Sequence, residues 1–266
     1  MDLMQAFVLA VLQGLTEFLP ISSSAHLVIP SLVLGWDDQG LAFDVAVHVG
    51  TLSAVVIYYS RDLWKMACAW LGSLAGRGSC EDSILVWKLA VATIPAIAVG
   101  LFLGDAIEGH ARNLPVIATT TLVFGLLLGM ADRYAIRVPG DAAIGWRQAL
   151  LIGAAQALAL VPGVSRSGVT ITAGLFLNLS RQDAARFSFL LSIPVIAGAG
   201  LLKAMELAES GQPVDWTLLG LAALVSGITA FSCITVFLRL LDRVGMMPFV
   251  YYRIVLAGVL YAMWLV

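Results

Sequence analysis

Six long apolar runs, at about 42–60, 86–104, 116–131, 186–204, 216–238 and 249–266, are spread along the whole chain. A helix needs about 20 apolar residues to cross hydrocarbon, where each backbone N–H and C=O must be bonded within its own segment. The pattern therefore predicts an all-α polytopic membrane protein. Composition agrees, with 60% of the 266 residues hydrophobic and 12% charged. No polar block is long enough for a soluble domain, so residues 1–266 read as a single integral membrane domain. A net charge of −2 without a basic run argues against a nucleic-acid partner. Cys68, Cys80 and Cys233 have neither metal-ligand nor paired spacing and read as free thiols. The opening Met-Asp-Leu has no basic region or cleavage site, so no cleaved signal peptide is expected.

Two further pairs of apolar segments are too short to span. Leu3–Leu19 and Ser22–Leu34 are separated at Pro20, and 147–161 and 164–178 are broken at Pro162-Gly163. Each pair reads as a re-entrant helical hairpin, a shape allowed at membrane depth where protein covers the turn. Ser22 or Ser23 is a natural N-cap for the helix that follows the first turn. Basic residues give the sidedness. With six spans and two hairpins, one face carries Arg61, Lys65, Arg77, Lys88, Arg133, Arg137, Arg147, Arg181, Arg186, Arg239, Arg243 and Arg253. The other carries only Arg112 and Lys203, and Arg166 lies at a hairpin tip. The rich face is expected in the cytoplasm, with both termini outside. The hairpins then enter from opposite sides, which predicts an inverted-topology repeat of about 1–135 and 146–266 with the turns meeting near the midplane. The stretch at Phe43 and that at Phe187 echo each other in position. Gly100-x-x-x-Gly104 and Gly125-x-x-x-Gly129 offer close helix contacts.

The two turns hold most of the chemistry. Gln13 to His26 reads Q-G-L-T-E-F-L-P-I-S-S-S-A-H, a carboxylate, three serines and a histidine in an apolar setting. Ionisable groups at that depth are costly and point to function. Gln13 and Glu17, four apart, share a helix face. Glu17 reads as a general acid/base or a metal ligand, ahead of the alternative of a structural partner for Arg166. Gln13 reads as an orienting partner. Ser22, Ser23 and Ser24 can cap and turn the chain, yet His26 lies three or four residues on, near enough to activate a serine nucleophile. In P-G-V-S-R-S-G-V-T, Gly163 and Gly168 permit close backbone approach. Ser165 or Ser167 starts a helix whose N-terminus faces inward, and Arg166 offers a fork for phosphate, with Thr170 one turn on. Asp44 and His48 form a second pair. They suit a cation site with Glu17 or a plain helix start and packing histidine.

Together the stretches Q-G-L-T-E-F-L-P-I-S-S-S-A-H and P-G-V-S-R-S-G-V-T resemble the signatures of the undecaprenyl-diphosphate phosphatase family, the bacterial bacitracin-resistance membrane enzymes. F-D-V-A-V-H-V-G-T and A-A-R-F-S-F-L-L-S-I-P extend the resemblance along the chain. It implies removal of the terminal phosphate of undecaprenyl diphosphate, a lipid substrate held in the bilayer. It also implies a divalent cation, Mg²⁺ or Ca²⁺, and a bacterial inner-membrane location. Glu17, Ser23, His26 and Arg166 take the positions of the essential residues, and Gln13 stands where many members have Glu. Gln13, Ser22, Gly163, Ser165, Ser167, Gly168 and Thr170 become the expected phosphate-binding set, and Glu17 and Asp44 the expected metal ligands. A homodimer is an expected assembly. The rival reading is a transporter or flippase for a polyprenyl phosphate or another anion, since inverted repeats with broken helices also bind anions. A serine–histidine–glutamate cluster exceeds what anion binding needs.

Overall fold

A computed structural model describes residues 1–135, 144–211 and 214–265; Arg137 and most of the link between the two expected repeats lie outside them, as does Val266. Helix is the regular structure found among the described residues. The helices are α1 (Leu3–Thr16), α2 (Ser23–Leu34), α3 (Gly40–Tyr58), α4 (Ser60–Leu74), α5 (Glu81–Ala111) and α6 (Leu114–Ala135). There follow α7 (Trp146–Ala157) with a 3-10 turn at Leu158–Leu160, α8 (Arg166–Phe176), α9 (Arg181–Ser210), α10 (Trp216–Val244) and α11 (Met247–Leu265). Among the described residues, six helices are long and apolar enough to cross a membrane: α3, α5 over Glu81–Gly104, α6, α9, α10 and α11. Helices α1, α2, α7 and α8 have 14, 12, 12 and 11 residues. At 1.5 Å per residue none reaches the ~30 Å of a hydrocarbon core.

The short helices sit against long ones. α1 packs on α10 and α7 on α5, while α3 lies against α9 and α10, and α6 against α11. Small residues set these distances. A Cβ on Gly14 would come 2.6 Å from Ser226 O of α10, and one on Gly153 would come 2.6 Å from Ala92 Cα of α5. Of the two glycine pairs in the sequence, Gly125 and Gly129 do face another helix, with hypothetical Cβ atoms 2.9 Å from Arg253 and 3.2 Å from Val250. In the other pair Gly104 faces open space, and Gly100 meets Leu160 of the 3-10 turn at an ordinary 3.9 Å. Phe18, Phe189, Phe237 and Phe249 meet in succession edge-to-face or tilted, with ring centroids 5.2, 5.8 and 5.5 Å apart.

Two features depart from the sequence reading. α4 follows α3 directly, where no helix was expected. It exposes Trp64, Leu71 and Leu74 while burying Met66, and it carries Arg61 and Lys65. Such a mixed face is the composition of a helix at a membrane–water boundary, and the charges hide it from a hydropathy reading. Arg253 is the second. It was counted with the charge-rich face, but it is fully buried within the bundle. It lies in α11 against Gly125, near the middle of α6, so it says nothing about sidedness.

Candidate active site

Both turns are built the same way. α1 ends short of Pro20 and α7 short of Pro162, because proline has no N–H to continue a helix. The next helix starts from a serine with positive φ: Ser22 at φ 75°, ψ 91° and Ser165 at φ 72°, ψ 114°. Of the described non-glycine residues only these two and Asn178 have positive φ. Such a conformation is strained and persists where its surroundings enforce it. In each turn the serine at the N-cap position bonds the serine two residues on, Ser22 to Ser24 at 3.2 Å and Ser165 to Ser167 at 3.3 Å, but only Ser165 also caps its helix through its side chain.

The turns meet around the carboxylate of Glu17, which is buried at the end of α1. Arg166 Nη2 donates to Oε1 at 3.0 Å. Oε2 accepts from Gln13 Nε2 at 2.9 Å and from Ser23 Oγ at 2.7 Å. His48 Nε2 lies 3.9 Å from the same oxygen. Arg166 also donates to Ser188 O at 3.2 Å and lies over the Phe18 ring. A hydroxyl pointing at a buried carboxylate is a serine already paired with a base.

The expected serine–histidine pairing is not formed here. His26 Nδ1 bonds the backbone oxygen of Ser22 at 2.7 Å, and Nε2 meets the Tyr252 hydroxyl at 2.5 Å. Glu17 is the group that holds Ser23. The second turn also spends its hydroxyls within the protein. Ser167 Oγ donates to Leu19 O at 2.8 Å, tying turn to turn, and Thr170 Oγ1 bonds Ser188 Oγ at 2.7 Å. Ser165 caps α8 through Gly168 N at 3.1 Å. Gly163, at φ +89°, lacks a Cβ that would collide with Thr120, and Gly168 leaves room for the Arg253 guanidinium. Of the expected set, the structure brings Gln13, Glu17, Ser23 and Arg166 into one hydrogen-bonded cluster. Ser22, Gly163, Ser165, Ser167, Gly168 and Thr170 support it from behind, and His26 flanks it.

Arg253 went unrecognised in the sequence as part of this centre. Its guanidinium donates to Pro20 O at 3.2 Å in the first turn, and to Gly163 O at 2.8 Å and Val164 O at 3.1 Å in the second. It also donates to Thr121 O of α6 at 3.0 Å. Among the described residues it has no carboxylate partner, so the turns share a buried positive charge that Glu17 does not cancel. In a low dielectric that charge favours an anionic ligand. A Tyr-Arg pair inside an apolar run was the available signal.

The residues around Glu17 offer part of a donor set for a divalent cation. Gln13 Oε1 is buried without a hydrogen-bond partner, beside the Glu17 carboxylate that its own amide nitrogen contacts. Among the described residues no three His, Cys, Asp or Glu side chains gather as metal ligands, and Asp44 accepts from Gln39 Nε2 at 3.0 Å. One carboxylate and an amide oxygen suit a hard cation whose shell is completed by phosphate and water, not an all-protein cage. The apolar groove of about 420 Å³ along α1 and α10 is a separate feature. It is lined by Leu15, Leu19, Val236, Leu240 and Phe249 and does not include Glu17, Ser23 or Arg166.

The chain is similar in sequence to known proteins along nearly its whole length. The family model described as bacitracin resistance protein BacA matches residues 6–259. A protein of Teredinibacter turnerae named undecaprenyl-diphosphatase is 55% identical over 261 residues, covering 98% of this chain and 99% of its own. The chain belongs to the BacA bacitracin resistance protein family.

Proposed function

We propose that this protein is a membrane phosphatase that hydrolyses undecaprenyl diphosphate to undecaprenyl phosphate and inorganic phosphate, returning the lipid carrier to cell-wall synthesis. The observation that carries the reading is Ser23 Oγ held 2.7 Å from the buried Glu17 carboxylate, with Arg166 on the other carboxylate oxygen. Binding an anion needs no such base. A relative 55% identical that bears the name of this activity supports the same substrate.

In the proposed reaction Ser23 Oγ attacks the terminal phosphorus as its proton passes to Glu17 Oε2. The Oγ–P bond forms, and the bond from phosphorus to the bridging oxygen breaks. Prenyl monophosphate leaves with the electron pair. Water then attacks the phosphoserine, Ser23 recovers its proton, and inorganic phosphate departs. Arg166 and the uncancelled charge of Arg253 offset the negative charge on the phosphoryl oxygens. Glu17 and Gln13 Oε1 are the residues that would hold a Mg²⁺ or Ca²⁺, and the cation would neutralise phosphate charge. We place the short helix pairs as re-entrant hairpins in an inverted repeat of a bacterial inner-membrane protein, termini outside. The matched pairs α1/α2 and α7/α8 support that arrangement.

The test is phosphate release by the purified protein in detergent from a long-chain prenyl diphosphate, with Mg²⁺ and with a chelator. Multiple turnover without any gradient supports the phosphatase. Binding of the lipid without release under any metal condition would transfer the case to an anion transporter, the reading that the twin turns also suit.

A further inference from the structure

His26 and Tyr252 form a polar pair beside this centre, His26 buried at 7% exposure like Glu17 and Tyr252 opening to the outside of the bundle. They are 226 residues apart in sequence, yet their rings lie parallel within 15° at 5.6 Å, and Tyr252 Oη sits 2.5 Å from His26 Nε2. The Ser22 carbonyl, 2.7 Å from Nδ1, can only accept, so Nδ1 carries the ring proton and the neutral ring accepts from the Tyr252 hydroxyl at Nε2. Both nitrogens are thus committed before substrate arrives. Burial differs sharply between the two ends of the centre. Glu17 and Arg166 side chains are 7% and 12% exposed, whereas Tyr252 is 42% exposed on a helix that also presents Tyr251, Ile254 and Val255 outward.

We propose that Tyr252 is a positioning residue which holds His26 in the Nδ1–H form and surrenders Nε2 to the ester-linked phosphate of the lipid at the bilayer side of the site. This rests on the phosphatase reading. A lipid diphosphate has two unlike ends. The terminal phosphate belongs at the buried Ser23–Glu17–Arg166 end, and the phosphate bearing the prenyl chain belongs where the protein meets hydrocarbon. Only Nε2 faces that second phosphate, because the Ser22 carbonyl fixes Nδ1. As the phenol hydroxyl turns aside, Nε2 takes up a proton from solvent, and the resulting imidazolium donates a hydrogen bond to an oxygen of the departing monophosphate. The stacked phenol keeps the ring plane in place while its hydroxyl turns aside.

The chain has only three histidines, which makes the idea accessible to ¹⁵N NMR of the imidazoles, assigned with His26→Gln. His48 and His110 also bond backbone oxygens through Nδ1, and among the described residues His26 alone has a phenol on Nε2. Tyr252→Phe keeps the ring and removes the donor. The expected result is a displaced His26 Nε2 resonance in the resting protein and a fall in kcat of about tenfold, the scale of one hydrogen bond. Tyr251→Phe, at an exposed neighbour, should change neither. Unchanged resonances overturn the proposal, whatever the activity, and a displaced resonance with wild-type kcat overturns it as well. Failure of the wild type to release phosphate would instead sink the phosphatase reading, while the resonances still report who holds His26.

Discussion

The two turns share a backbone and divide the work. Counting back nine residues from Ser22 and from Ser165 reaches Gln13 and Gln156, both buried. Gln13 finds Glu17 four residues on, whereas Gln156 has Leu160 there and both its amide atoms lack partners. One residue past the N-cap serine stands Ser23 in the first turn and Arg166 in the second; four past it stand His26 and Val169. The first turn thus keeps the carboxylate, hydroxyl and imidazole, and the second supplies the cation and hydroxyls that fasten the turns together. A duplicated strained turn brings two helix starts to one point. Different side chains on the two copies then give that point a nucleophilic side and an electrophilic side.

The comparison can be broken most severely at its joint. Arg253→Met should cost at least about 3 kcal/mol, because carbonyls of Pro20, Gly163 and Val164 lose their donor together. Thermal unfolding in detergent checks this, and a variant as stable as wild type would show that the turns hold without it. Glu17→Gln keeps the side-chain shape but removes the base. Phosphate release should fall about 10²- to 10⁴-fold with the fold intact. Gly163→Ala acts on the second turn alone, where φ +89° and the Thr120 contact both oppose a Cβ. A loss of about 1–3 kcal/mol is expected by the same unfolding assay. The smallest effects come from the paired glutamines. Gln13→Leu should lower turnover about tenfold through loss of the Glu17 contact, while Gln156→Leu, relieving two unpartnered polar atoms, should leave turnover near wild type. Equal losses at both positions would mean that the second turn carries chemistry as well.

Much of this was legible in the chain itself. Apolar runs and proline breaks located the six long helices and the four short ones, since bilayer thickness and the missing proline N–H act locally. α4 was not legible, because Arg61, Asp62 and Lys65 mask a helix that buries only one narrow face. Residue types at the site were also readable, because a Glu, a Ser and an Arg in apolar surroundings stand out. Their partners were not. Sequence spacing placed His26 beside Ser23, but the positive φ of Ser22 turns α2 so that Ser23 meets Glu17 and His26 meets Tyr252. Arg253 looked like a surface charge because its five neighbouring carbonyls come from three distant segments.

The central claim is that the two turns form one phosphatase centre with Ser23 activated by Glu17. Its most direct test is phosphate release from a long-chain prenyl diphosphate by wild type beside Ser23→Ala, Glu17→Gln, His26→Ala and Arg166→Ala, each shown to be folded. The account predicts robust wild-type turnover and near-complete loss in Ser23→Ala, Glu17→Gln and Arg166→Ala, with a smaller deficit in His26→Ala. Turnover that survives in Ser23→Ala at the wild-type rate would contradict it, and would assign the attack on phosphorus to another group.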